Sequence, residues 1–243
     1  MHEIALLAGI AFIGALIFGV TGFGAALVTI PLATHLVPLK FALALFVLAD
    51  LSCALRIGFE NPRKALRDEW VRLAPMIVVG TALGVTLLVN LPRATATLLL
   101  GIFILAFALY SLVPHRTKLV SVHWAWLAGL AGGVTSTLFG AGGPPYAIYL
   151  SHRGLTKEQF RATMGFATLT SISLRAAAFL LTGLLLDPEV WWAALAVVPA
   201  ALLGISVARR LFLKISRDGL LRAVSLMLLV SGGSLVWRAL TSA

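Results

Sequence analysis

The sequence predicts an all-α polytopic membrane protein: two inverted repeats, each a glycine-broken helical hairpin followed by three transmembrane helices. Three observations carry this. First, 60% of the 243 residues are hydrophobic and 12% are charged, against about 25% charged in a soluble domain; mean hydropathy is +1.01. Runs such as 73–89, 98–113 and 191–207 reach or approach the roughly 20 residues that cross about 30 Å of hydrocarbon as a helix. Second, glycine and proline interrupt two apolar segments where a helix would otherwise run on. Residues 132–145 read GGVTSTLFGAGGPP, with five glycines and two prolines. Glycine weakens a helix, and proline removes an N–H and biases the residue before it away from helical geometry. A helix stops there, and a new one starts at Pro144 or Pro145, since the first helical position tolerates proline. Third, the order of elements in 1–118 recurs in 119–243.

Taken in order, the first apolar segment covers 4–37. It is broken at Gly19-Val20-Thr21-Gly22-Phe23-Gly24, with Pro31 further on. Its roughly 34 residues make about 50 Å of helix, too long for one untilted crossing and barely enough for two. A helix over 41–58 follows, then a basic loop at 61–67, then helices over 71–90 and 93–113 joined by Leu91-Pro92. A second basic loop holds His115, Arg116 and Lys118. The second half has a broken segment over 124–151, a helix over 157–181, a loop at 183–189, a helix over 190–208, a basic stretch at 209–217 and a helix over 218–240. Phe23-Gly24-Ala25 matches Phe139-Gly140-Ala141, Lys40 matches Lys157, and Leu55-Arg56 matches Leu174-Arg175. Pro75, Gly80 and Gly84 match Pro199, Gly204 and Ala208. Apolar helices resemble one another by chance, so the proline, glycine and arginine matches carry the duplication.

The formal net charge of +10 gathers in loops, which is the positive-inside bias rather than a nucleic-acid footprint. The loops at 61–67, 115–118, 153–161 and 209–217 are expected in the cytoplasm, and the acidic loop with Asp187 and Glu189 outside. Residues 124–151 then leave the cytoplasmic face and return to it, as a hairpin. The same logic makes 4–37 a hairpin from the outside, with Lys40 and Arg93 outside against the trend. The alternative is eight full spans, which would put the basic loop 153–161 outside. Irregular backbone at membrane depth must line a cavity or lie buried in protein. Two hairpins from opposite faces would bring both breaks near the midplane, as secondary transporters do at their substrate sites.

Other classes are excluded. Short alternating segments are lacking, so a β-barrel is out. Cys53 is the single cysteine, so neither an intrachain disulfide nor a cysteine metal cluster forms. The start, Met-His-Glu, has no basic region ahead of the apolar run and is expected to stay as a membrane element. No phosphate-binding loop, zinc spacing or catalytic triad stands out; no cofactor, metal or catalytic residue is expected.

Two blocks carry a family resemblance: Gly22-Phe23-Gly24-Ala25 with Pro31-Leu32, and Phe139-Gly140-Ala141-Gly142-Gly143-Pro144. With the duplicated layout over nearly the whole chain, the sequence resembles the TauE/SafE family of sulfite and organosulfonate exporters, also called toluene sulfonate uptake permeases. The first copy departs from the family's run of three glycines, with Ala25 and Ala26 in two of those places; Ala147 in the second copy replaces the Pro31 of the first. The resemblance implies a bacterial inner-membrane transporter, not an enzyme, for small sulfur-containing anions or carboxylates. Its expected partners are a small anionic substrate and the lipid bilayer, and no nucleic acid. A proton or sodium ion is the candidate coupling ion, and a homodimer the candidate assembly. A passive anion channel would share every feature used here. A membrane enzyme acting on a lipid phosphate would need acids and an arginine at the breaks, which hold neither.

Arg175 is the sharpest candidate, late in an apolar helix. A charge inside a span usually faces a cavity or a partner, and the guanidinium fork fits sulfonate or carboxylate oxygens; the alternative is snorkelling to the outer interface. Asp50 is the deepest acid, a candidate proton carrier or counter-ion to an arginine. Arg56, the repeat partner of Arg175, lies nearer a helix end, where snorkelling to the interface is the favoured reading; it is grouped with Asp50 as a candidate coupling or counter-ion residue. Ser136, Thr137 and Ser171 are candidate hydroxyl contacts to the substrate, though hydroxyls in membrane helices often bond a preceding carbonyl. Gly22, Gly24, Gly140, Gly142 and Gly143 are candidates to offer bare backbone to an anion, at half-helix N-termini.

Overall fold

The computed structural model describes residues 2–22, 25–60, 62–112, 119–211, 226, 228–237 and 239. Among these there is no strand. The helices are α1 (His2–Thr21), α2 (Ala25–Ala33), α3 (Leu39–Gly58), α4 (Arg67–Asn90), α5 (Arg93–Leu112), α6 (Trp124–Phe139), α7 (Gly143–Ser151), α8 (Lys157–Leu181), α9 (Pro188–Leu211) and α10 (Leu228–Trp237). Six described helices, α1, α3, α4, α5, α8 and α9, are long and apolar enough to cross a membrane. The expected helix over 218–240 is represented by α10; residues 218–225 lie outside the described residues.

Local chemistry sets the ends. α3 follows Pro38, whose ψ of 145° is extended. α4 starts four residues before the expected 71, with Asp68 and Glu69 in its first turn, where acids favour the positive end of the helix dipole. At α8, Thr156 and Gln159 form a capping box, satisfying two otherwise orphaned N–H groups. α9 opens on Pro188, and the carboxylate of Asp187 accepts from Glu189 N–H at 2.9 Å. Lys40, out of place by loop charge alone, donates to Val89 O at 3.3 Å, close to the negative end of α4.

Both breaks are closed by a left-handed glycine. Gly22 has φ 81° and Gly140 φ 73°, geometry that a side chain resists. Their N–H groups bond back into the helix, Gly22 to Phe18 O at 2.8 Å and Gly140 to Ser136 O at 2.9 Å. Beyond each break the chain doubles back. Thr29 of α2 lies on Gly14 of α1, and the Tyr146 ring of α7 lies on Gly132 of α6, with no room for a Cβ at either glycine. Val120 N–H donates to His152 O at 3.2 Å, so the residues flanking α6 and α7 are neighbours. The segment 124–151 is therefore a hairpin and not a single crossing.

The hairpins are clamped by close helix packing. α4 lies on α6: a Cβ on Gly133 would come within 2.6 Å of Ile77 O and 2.9 Å of Gly80 Cα. α9 lies on α1: Gly204 meets the Phe12 backbone, and a Cβ on Gly19 would come within 2.5 Å of Ala208 Cβ. The glycine and alanine positions matched between the halves are thus contact positions, each half's helix seated on the other half's hairpin. Small residues let backbones approach where no water drives association. Trp124, Trp126, Trp191, Trp192 and Trp237 are all exposed on the helix surface, as interfacial anchors are.

Candidate functional site

The tips of the two hairpins touch. A Cβ on Gly140 would lie 2.9 Å from Ala26 Cβ and 3.3 Å from Ile30. Around this contact is a cavity with ≈ 20 Å³ of water-accessible volume, room for about one water. The first hairpin lines it with Phe18, Ala25 and Ala26, the second with Ser136, Gly140, Ala141, Gly142, Gly143 and Tyr146. Asp50 from α3 and Thr168, Ser171 and Ile172 from α8 complete the wall. Both short helices, α2 and α7, are nine residues long and begin here. Each presents a positive dipole end to the same space. The prolines at 144 and 145 carry no N–H, so the donors at the start of α7 are those of Gly142 and Gly143.

Beside the cavity lies a buried ion pair. Arg175 is 1% exposed and donates from Nη2 to Asp50 Oδ2 at 2.7 Å. Its Nη1 donates to Ser136 O at 3.0 Å, on the second hairpin, and lies 2.9 Å from where a Gly140 Cβ would be. Its Nε is buried without a partner among the described residues. The guanidinium therefore ties α3, α8 and the tip of α6 together and leaves its Nε–H uncommitted. Removing two charges from water is repaid only by good geometry and further hydrogen bonds, and this pair has both.

The expected site residues divide by position. Ser136, Gly140, Gly142, Gly143, Ser171 and Asp50 line the cavity, and Arg175 stands behind it, bonded to two of them. Gly140 spends its N–H on capping α6. Thr137 does not line the cavity: fully buried, its hydroxyl donates to Gly133 O at 3.0 Å and its Cβ packs on Gly84. Gly22 closes α1 and is buried. Gly24 lies outside the described residues. Arg56 is exposed and donates to Ser206 Oγ at 2.8 Å, while Asp50 takes Arg175. Arg161 and Glu60 pair at 3.3 Å near Arg56, and Arg161 also donates to Gly19 O at 3.4 Å.

Two features escaped the sequence. Tyr146 is fully buried in the cavity wall and donates its hydroxyl to Ser171 Oγ at 3.1 Å. With an acceptor role already filled, the Ser171 proton is free to point elsewhere. Its signal was an aromatic hydroxyl directly after the double proline. The second is Glu69, 5% exposed. It accepts from Tyr149 Oη at 2.5 Å, from Arg153 at 3.0 Å and from Arg72 at 3.1 Å. Arg153 in turn donates to Val120 O at 2.7 Å, so the cluster sews the base of the second hairpin to α4. An acid beside a basic loop was its only trace in sequence.

The family model described as "Sulfite exporter TauE/SafE" matches residues 6–235. A protein of Comamonas testosteroni named "Probable inner membrane transporter protein TsaS" is 24% identical over 201 residues, covering 80% of this chain and 83% of that protein. No solved structure matches the chain.

Proposed function

The chain belongs to the sulfite exporter TauE/SafE family, and on that premise we propose a secondary transporter that moves a small sulfur-containing anion, such as sulfite, a sulfonate or sulfoacetate, by alternating access. The protein is a multi-pass inner-membrane transporter, a permease and not an enzyme. One observation carries the finer reading. Two nine-residue helices begin at a single cavity beside a buried arginine. Helix N-termini favour anions, and a guanidinium adds a forked, permanently charged donor. The proposed contacts are the N–H groups of Gly142 and Gly143, the Ser136 and Ser171 hydroxyls, and Arg175. At ≈ 20 Å³ the cavity holds about a water, so the bound anion requires the hairpin tips to part. Parting them is what alternating access does at a repeat interface, and it supports rocking of 1–118 against 119–243.

The test is a binding screen on purified protein by thermal shift with sulfite, methanesulfonate, isethionate, sulfoacetate and acetate. Arg175→Ala is expected to weaken sulfonate binding roughly 30-fold or more, from the 2 kcal/mol and upward that truncating a buried charge partner costs. The double variant Asp50→Asn/Arg175→Ala leaves no unpaired charge and guards against misfolding. Unchanged binding in a folded variant sinks the role of Arg175. Counterflow in proteoliposomes separates carrier from channel, because a channel shows no acceleration by substrate on the far side.

A further inference from the structure

Asp50 lies between two cavities. One is the anion cavity, where Arg175 holds its carboxylate at 2.7 Å. The other is smaller, ≈ 10 Å³, and lies on the side of the first hairpin. Its lining is apolar, mostly alanine and phenylalanine, apart from Asp50, Cys53 and Thr29. Thr29 is 1% exposed, and its Oγ1 has no hydrogen-bond partner among the described residues. A buried hydroxyl without a partner costs free energy, and buried polar groups are rarely left so. Thr29 cannot turn away freely, since it is pressed against Gly14.

We propose that Asp50 is the proton carrier of this transporter, exchanging its Arg175 partner for the Thr29 hydroxyl when an anion binds. The proposal rests on the transport reading above and names its coupling ion. An arriving anion competes with the Asp50 carboxylate for the same guanidinium. Once displaced, a carboxylate facing an apolar cavity cannot stay charged and unpaired. It takes one proton from the side on which the anion entered, forming a neutral carboxyl whose O–H donates to Thr29 Oγ1. When the anion leaves on the opposite side, the carboxyl releases its proton to the water there and re-pairs with Arg175. One proton accompanies one anion, and no other bond changes.

The lining argues against sodium. A hard cation needs a shell of several oxygens, and the second cavity offers only those of Asp50 and Thr29 from its side chains. Other titratable groups near Asp50 are Tyr146 of α7 across the anion cavity, and Cys53 and Arg56 on the following turns of α3. The lining residues of α1, α2 and α9 carry none. Tyr146 and Cys53 start protonated, and Arg56 bonds Ser206 away from the cavity, which leaves Asp50 as the group able to gain a proton.

The experiment counts protons taken up when the full chain binds a sulfonate. Purified protein is titrated by calorimetry at pH 7 with whichever of methanesulfonate, isethionate or sulfoacetate binds best, in buffers of different ionisation enthalpy. These anions stay fully ionised at that pH, so any proton taken up goes to the protein. The wild type is expected to gain about one proton per anion and Asp50→Asn about none. Thr29→Val, which keeps the shape, is expected to lose most of the uptake, and Thr29→Ser to keep it. Binding without protons in the wild type, sodium-dependent binding, or full uptake in Asp50→Asn or Thr29→Val each overturns the proposal. If Asp50→Asn does not bind, the Thr29 pair decides. Counterflow without proton uptake leaves transport standing and removes only this inference; absence of both binding and counterflow removes the transport reading and this with it.

Discussion

Glu69 and Arg72 lie one turn apart on α4, yet their expected contributions differ widely. The Glu69 side chain is 7% exposed and holds Tyr149 and Arg153, whereas that of Arg72 is 41% exposed and touches Glu69 at 3.1 Å. Removing one member of a buried pair strands the other, at about 3–5 kcal/mol; a solvent-facing member contributes about 0–1 kcal/mol. Glu69→Ala is therefore expected to lower the unfolding temperature in detergent clearly, and Arg72→Ala scarcely. Equal shifts would show that the cluster does not hold the hairpin base. The same scale shows what sequence can reach. Arg175 and Asp50 each stood out, because an ion within an apolar run is conspicuous. Their pairing did not, because it depends on how α3 and α8 are rotated about their axes, and those partners are 125 positions apart. Arg56 matches Arg175 in the repeat, but its place near a helix end already favours snorkelling, and it is exposed and bonds Ser206.

At the scale of elements, glycine has two distinct duties, and they predict opposite responses to substitution. Gly133 sits backbone to backbone with α4 at 2.6 Å from Ile77 O, so even a methyl group must push two helices apart. Gly133→Ala is expected to destabilise by about 1–3 kcal/mol, the usual cost of overpacking. Gly9, on the exposed face of α1, has nothing within 4 Å of its Cβ position. Gly9→Ala is expected to be neutral or to stabilise by up to about 1 kcal/mol through helix propensity. Thermal unfolding of the two variants side by side checks this; a tolerant Gly133 would mean that α4 and α6 are not in contact in the membrane. Breaks and helix order were legible because glycine and proline act locally. Which helix packs on which was not, since small residues mark a contact face without naming its partner. α4 starts before the expected 71 because the basic run through Arg67 reads as loop, whereas the helix begins at Arg67 and buries Glu69 in its first turn.

For the whole molecule, side-chain contacts fix which helix ends share a face. Glu60 pairs with Arg161 at 3.3 Å, and Leu66 N–H donates to Thr163 Oγ1 at 2.9 Å. The end of α3, the start of α4 and the start of α8 are therefore together. The Glu69–Arg153 pair and the Val120–His152 bond add the base of the second hairpin to that face. α8 then carries the chain across, so α9 begins at the far side. α1 runs alongside α9 in the same direction, Phe12 near Gly204 and Gly19 near Ala208, and so also begins there. These contacts support the opposite orientation that we propose for repeats 1–118 and 119–243, and loop charge says which face is which. Single cysteines in a Cys53→Ser background test it, with exposed sites at His35, Lys64, Ser121 and Glu189. His35→Cys and Glu189→Cys are expected to react with an impermeant maleimide in intact cells. Lys64→Cys and Ser121→Cys are expected to react only after the membrane is opened. Labelling of His35→Cys and Ser121→Cys from the same side would place both hairpin bases on one face. The cavity would then have no second face to open toward, and rocking of two opposed repeats would no longer describe how the anion crosses.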